Sequence, residues 1–151
     1  MALSKSTEAA ALAGKDSVAV TSGTTEKLGF VVKDASGNES VSVAGGAKTS
    51  STSRVDKASA GIPSGATAVI HGHIDGVSDG LIDDTRGLGD AQSLTKGLPN
   101  ITVSEGRAGA RELVGGRLQF RMIDGKMTSR ERKQLQRNIN RQQKKFLTPK
   151  P

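Results

Sequence analysis

Val69-Ile70-His71-Gly72-His73-Ile74-Asp75-Gly76 is the stretch on which the reading of the fold turns. Its opening continues an apolar run from Ala66, which predicts a strand reaching Ile70 and delivering the histidines at its end. Side chains alternate across a strand, so His71 and His73 point to the same side. They are the only histidines in the chain. Two imidazoles on one face make half of a divalent-metal site, with zinc the usual occupant. Asp75, Asp79, Asp83, Asp84 and Asp90 follow closely and offer carboxylates. The plainer alternative is a pair of solvated histidines at a strand end.

Toward the N-terminus, Glu26 to Asp34 reads as a strand, and Asp34-Ala35-Ser36-Gly37-Asn38 as a turn. Glu39 to Val43 alternates with period two, which predicts an antiparallel hairpin. Residues 44–65, rich in Gly, Ser, Thr and Ala, read as a loop. Residues 3–14 carry alanine and leucine and end on Gly14, which predicts a short helix. Toward the C-terminus, residues 75–89 form a second loop, and 90–97 a short helix with Pro99 just after it. Residues 100–104 and 117–123 alternate as strands, with a turn at Gly115-Gly116. Thr128-Ser129-Arg130-Glu131 is a capping box opening a helix to about Lys145, with Leu135, Ile139 and Phe146 on one narrow face. The expectation is an α/β fold, a small mixed β-sheet flanked by helices. Residues 1–125 form the domain, and 126–151 a basic C-terminal helix and tail packed on it or extending from it.

Composition limits what such a domain can be. The 151 residues suit one core, and 34% apolar content with 19 glycines and three Phe as the only aromatics makes that core thin. Absence of cysteine excludes disulfides, thiolate zinc sites and cysteine nucleophiles. No run approaches the roughly 18 apolar residues of a membrane helix. Met1 to Gly14 lacks the order of a conventional signal peptide, because Glu8 interrupts a short alanine-rich patch. The net charge of +7 is uneven: residues 126–151 hold nine Lys or Arg against Glu131, and residues 1–125 are near neutral.

Two metal patterns fail on the residues. The His-x-His-x-Asp-His motif of metallo-β-lactamases ends here on Gly76, and no further histidine follows. An EF-hand loop counted from Asp75 places Val77 and Arg86 at ligand positions.

A third pattern needs two histidines, a carboxylate ligand and a non-ligating glutamate, as in the JAMM, or JAB-domain, metalloproteases. Glu26-Lys27-Leu28-Gly29-Phe30-Val31-Val32 resembles that family's glutamate strand, and Ala68 to His73 its histidine strand. Gly89-Asp90 followed by Gly97-Leu98-Pro99-Asn100-Ile101-Thr102-Val103 is similar to its aspartate helix and the strand after it. The loop-rich look resembles the compact bacterial members found as modules of polymorphic toxins.

The resemblance implies a JAB/cytidine-deaminase-like fold and a Zn2+ held by His71, His73 and Asp90, with Asp84 as the alternative third ligand. Glu26 becomes the general base. The family's spacing from His73 to a serine and then an aspartate lands on Leu81 and Asp84; choosing Asp90 puts Gly87 at the serine position. With that serine missing, substrate polarisation falls to Ser78 or to the metal alone.

The function so implied is a zinc-dependent peptidase or isopeptidase acting on a protein substrate. It would be a toxin effector, secreted by some route other than a conventional signal and active in the target-cell cytoplasm, with no membrane partner. A metal-dependent nuclease and a non-catalytic binding module with a degenerate site are the competing readings. Arg130, Arg132, Lys133, Arg137, Arg141, Lys144 and Lys145 recur around the last helix. They suit a solvated face packed through Leu135 and Ile139, a dock for an acidic immunity protein, or phosphate contacts with nucleic acid. No Trp or Tyr is present for base stacking, so nucleic acid is the lesser expectation.

Overall fold

The computed structural model describes residues 2–20, 25–48, 62–73, 81–82 and 89–147. Six strands form one sheet: β1 (Thr25–Lys33), β2 (Glu39–Lys48), β3 (Ala66–Gly72), β4 (Asn100–Ser104), β5 (Arg107–Val114) and β6 (Arg117–Asp124). Their order is β2-β1-β3-β4-β5-β6. Within it β3 and β4 run parallel and every other pair is antiparallel. Helix α1 (Lys5–Gly14) precedes the sheet, a 3-10 helix at Gly89–Lys96 lies in the crossover from β3 to β4, and helix α2 (Ser129–Leu147) ends the fold. The fold is a small α/β architecture with a mixed sheet.

The sheet is covered on both faces. On one, Val31, Ile70, Ile101, Val103 and Ala110 pack with Leu3, Ala11 and Val18 from the N-terminal segment. On the other, Phe30 and Val69 meet Leu98, and Leu118 meets Ala91 and Leu94 of the 3-10 helix and Leu135 and Ile139 of α2. Burial of each large apolar side chain contributes about 1.5–3 kcal/mol. This double cover explains β4, whose five residues are all buried although every second one is polar.

The β1–β2 hairpin pairs antiparallel as expected. Strand β2 runs past Val43 to Lys48, because a bulge at Leu28/Gly29 lets Gly45 to Lys48 pair with the start of β1. The expected loop therefore loses its first residues to the sheet; residues 49–61 lie outside the described residues. Helix α1 starts at Lys5, capped by the Ser4 hydroxyl, which accepts from the Thr7 amide. Leu3 stays outside the helix and donates its amide to Glu112 at 2.7 Å.

The largest difference is β5. Arg107-Ala108-Gly109-Ala110-Arg111-Glu112-Leu113-Val114 carries too much charge and too little apolar content to read as a strand. Those charges are paired instead: Arg107 with Glu131, and Glu112 with Arg121. The turn before it, Glu105-Gly106, has positive φ at both residues (+54° and +74°), a primed hairpin turn without the usual Asn or Asp at its first position. At α2 the capping box forms as read, with Thr128 and Glu131 exchanging backbone-to-side-chain bonds at 2.9 and 3.1 Å.

Candidate metal centre

Strand β3 delivers both histidines at its carboxyl end. His71 is paired with Leu28 of β1 and with Thr102 of β4, and the His73 amide donates to the Val103 carbonyl at 2.9 Å. Both side chains are buried, 5% and 7% exposed, which removes the solvated-histidine reading. Their Nε2 atoms stand 3.1 Å apart and the ring centroids 4.9 Å apart, with the planes tilted by 57°. Two nitrogens each about 2.0–2.1 Å from one tetrahedral zinc lie about 3.3 Å apart, so the pair fits a shared cation with little movement. The same separation suits one N–H···N bond between the rings, one donating and one accepting. The donor set suits zinc: two imidazoles with their Nε2 atoms converging.

Gly72, between the histidines, faces the opposite way. The Val18 carbonyl oxygen passes so close that a Cβ on Gly72 would lie 1.8 Å from it. The glycine is therefore dictated by the chain crossing behind the strand, while the imidazoles are held in front.

The site lies where parallel strands end, the usual place for a ligand in a sheet with a crossover. Because β1 runs antiparallel to β3, its start flanks the same end. Glu26 precedes Lys27, which is paired with Gly72. Asp90 is the second residue of the 3-10 helix. The side chains of Glu26 and Asp90, and all of Asp84 and Ser78, lie outside the described residues. Among the described residues no group of three or more His, Cys, Asp or Glu side chains gathers to hold a metal.

The sequence reading missed what lies beside the histidines. The polar positions of β4, Asn100, Thr102 and Ser104, are 0–1% exposed and share the histidines' face. Arg111 of β5, fully buried and paired in register with Asn100, donates to Asn138 of α2 at 3.0 Å and lies 5.3 Å from the centre of the Phe120 ring. Among the described residues, the Ser104 hydroxyl and both amide atoms of Asn100 are buried without a hydrogen-bond partner. Such groups cost about 1–3 kcal/mol each when unpaired. Ser104 ends β4 as His73 follows β3, one register step beyond the Gly72–Val103 pair, so this hydroxyl belongs to the histidine end of the sheet. The polar half of the alternation was the available signal; only the double cover showed that it faces inward.

Comparison with known proteins gave no match. No protein-family profile, curated protein or solved structure is similar enough to this chain to assign it.

The basic residues stand apart from this interior. Arg130, Arg132, Lys133, Arg137, Arg141, Lys144 and Lys145 are all exposed, while Leu135, Asn138, Ile139 and Gln142 form the buried stripe of α2. The expected stripe of Leu135 and Ile139 is thus joined by two amides, and the side chain of Phe146 lies outside the described residues. Among the described residues no helix is long and apolar enough to cross a membrane.

Proposed function

We propose that this protein is a zinc-dependent hydrolase of the JAB/JAMM kind, a peptidase or isopeptidase serving as a secreted bacterial toxin effector. One observation carries the proposal: two buried imidazoles with Nε2 atoms 3.1 Å apart at the end of β3. Two imidazoles on one face with their Nε2 atoms converging offer a cation two donors at the separation a tetrahedral ion requires.

In this reading His71 and His73 hold the ion, with Asp90, or Asp84 in its place, as the third ligand. Zinc, when bound, supplies a water acidified toward neutrality and a Lewis acid for the substrate carbonyl. Glu26 takes a proton from the attacking water and passes it to the leaving nitrogen. The position of Glu26 supports this role, since it precedes the β1 residue opposite Gly72. Ser78 is the sequence's candidate for polarising the carbonyl, and Ser104, whose buried hydroxyl has no hydrogen-bond partner among the described residues, is a second one. The toxin role and action in a target-cell cytoplasm rest on the resemblance.

The test is expression in a bacterium of the wild type and of Glu26→Gln, followed by a proteome-wide search for new protein ends. New ends that require Glu26 support a peptidase. Nicked plasmid or degraded RNA in place of new ends would make the protein a nuclease, and neither would leave a binding module.

A further inference from the structure

The strand β6 closes one side of the sheet, and no strand lies beyond it among the described residues. The amide of Leu118 points off that edge, donating to the side chain of Gln143 in α2. In an antiparallel strand the N–H and C=O of one residue share an edge and successive residues alternate. Phe120 and Met122 therefore send their main-chain groups to the same outer edge as Leu118. Natural edge strands are normally blunted by proline, a lysine or a covering element. Arg117–Asp124 holds no proline; its charged residues are Arg117, Arg121 and Asp124, and α2 reaches the edge at Leu118 through Gln143.

Beside this edge runs a groove of about 560 Å3 between β6 and α2. Buried Leu118, Leu135 and Ile139 lie at its base with Phe120, amides such as Gln136 and Asn140 give it a mostly polar lining, and Arg117 and Arg132 stand at its rim. Both arginines are exposed. The nearest acid on α2, Glu131, is engaged by Arg107 at 2.9 Å. The groove thus offers the main-chain edge of β6 along one wall, where an added strand would take the Leu118 amide from Gln143, a mixed apolar and amide base, and positive charge above.

We propose that this groove binds an extended acidic segment of a partner protein, which adds to the sheet alongside β6. An edge strand flanked by a helix is a known setting for strand addition, in which main-chain bonds supply affinity and alternate side chains enter the groove. The arginines at the rim select carboxylates on the outward side chains. A polynucleotide fits less well, because phosphates do not pair with a strand edge and the groove offers a single Phe for stacking. The inference is independent of the hydrolase reading, since no residue of the histidine end enters it.

The experiment uses the full chain and a labelled nonapeptide alternating Glu with Val, read by fluorescence anisotropy. Comparison probes are a Lys-Val nonapeptide, the Glu-Val peptide N-methylated at alternate residues, and a single-stranded oligonucleotide. Binding of the Glu-Val peptide is expected, at least about tenfold weaker to an Arg117→Glu/Arg132→Glu variant. Circular dichroism checks that the variant, altered only at exposed positions, stays folded. The amides of Phe120 and Met122 should gain protection from hydrogen exchange when the peptide binds. Absence of Glu-Val binding, equal binding of the Lys-Val or N-methylated peptide, or binding of the oligonucleotide alone through the same two arginines would each overturn the proposal. A His71→Ala/His73→Ala protein should bind the peptide as the wild type does.

Discussion

Arg107 on β5 grips Glu131 on α2 through two parallel bonds, Nη1 to Oε1 and Nη2 to Oε2, both 2.9 Å. The same carboxylate accepts from the Thr128 amide, so one side chain caps the helix and ties it to the sheet. The Arg107 guanidinium, helped by the Thr128 amide, lowers the Glu131 carboxyl from 4.5 to about 2. A carboxylate lowered on folding stabilises fully above its unfolded value, and that contribution is lost as pH falls through the folded value. The Glu131 side chain is 24% exposed, so the contribution is discounted for solvent screening to about 1–2 kcal/mol. Glu131→Gln is expected to lose this amount at pH 7 in urea unfolding, and the gap from wild type should close between about pH 4.5 and pH 2. A gap that persists unchanged at the acid end would mean that charge is not the cause.

Gly72→Ala forces a Cβ to within 1.8 Å of the Val18 carbonyl oxygen, and backbone on both sides must move. The expected cost is about 3 kcal/mol or more. Thermal unfolding reads it directly; a melting temperature within a degree or so of wild type would mean that the N-terminal segment does not pass behind β3.

The histidine pair predicts metal binding. Purified protein should carry about one zinc per chain by elemental analysis, as three protein ligands and an open position require. The His71→Ala/His73→Ala variant should lose it, and Glu26→Gln should keep zinc while losing activity. A zinc content unaffected by the double substitution would remove the site.

Ser104→Ala separates catalysis from stability. The hydroxyl is buried with no partner among the described residues, so its removal should leave the fold as stable or raise stability by about 1 kcal/mol. If the hydroxyl donates to a developing oxyanion, turnover should fall about 100-fold with KM little changed, and Thr should restore part of it. Activity equal to wild type assigns polarisation elsewhere.

Glu105 holds a left-handed φ of +54°, a conformation that costs a non-glycine residue roughly 1 kcal/mol. Glu105→Asn should therefore stabilise the β4–β5 hairpin by about 0.5–1 kcal/mol, visible as a higher urea midpoint.

Much of the fold was legible because local patterns agreed with it. The β1–β2 hairpin, β3, the capping box at Thr128 and Glu131, and the stop at Gly97-Leu98-Pro99 each follow from residues near one another in the chain. Strand β5 was not legible, since its Arg111 and Glu112 are held in the sheet by partners such as Asn138 and Arg121, residues far along the sequence or across a strand. The candidate site divides in the same way. His71 and His73 could be placed on one face from a spacing of two, whereas Ser104 and Asn100 were indistinguishable from solvent-facing positions.

The sequence by itself determined that two imidazoles would stand side by side at a strand end, because alternation in an extended chain is a local property. It also determined that the positive charge would gather on the last helix. Only the tertiary structure decided that the histidines are buried and that β4 turns its hydroxyls and amide inward. The inward turn of β4 depends on the 3-10 helix packing on a face that a half-exposed sheet would have left to water.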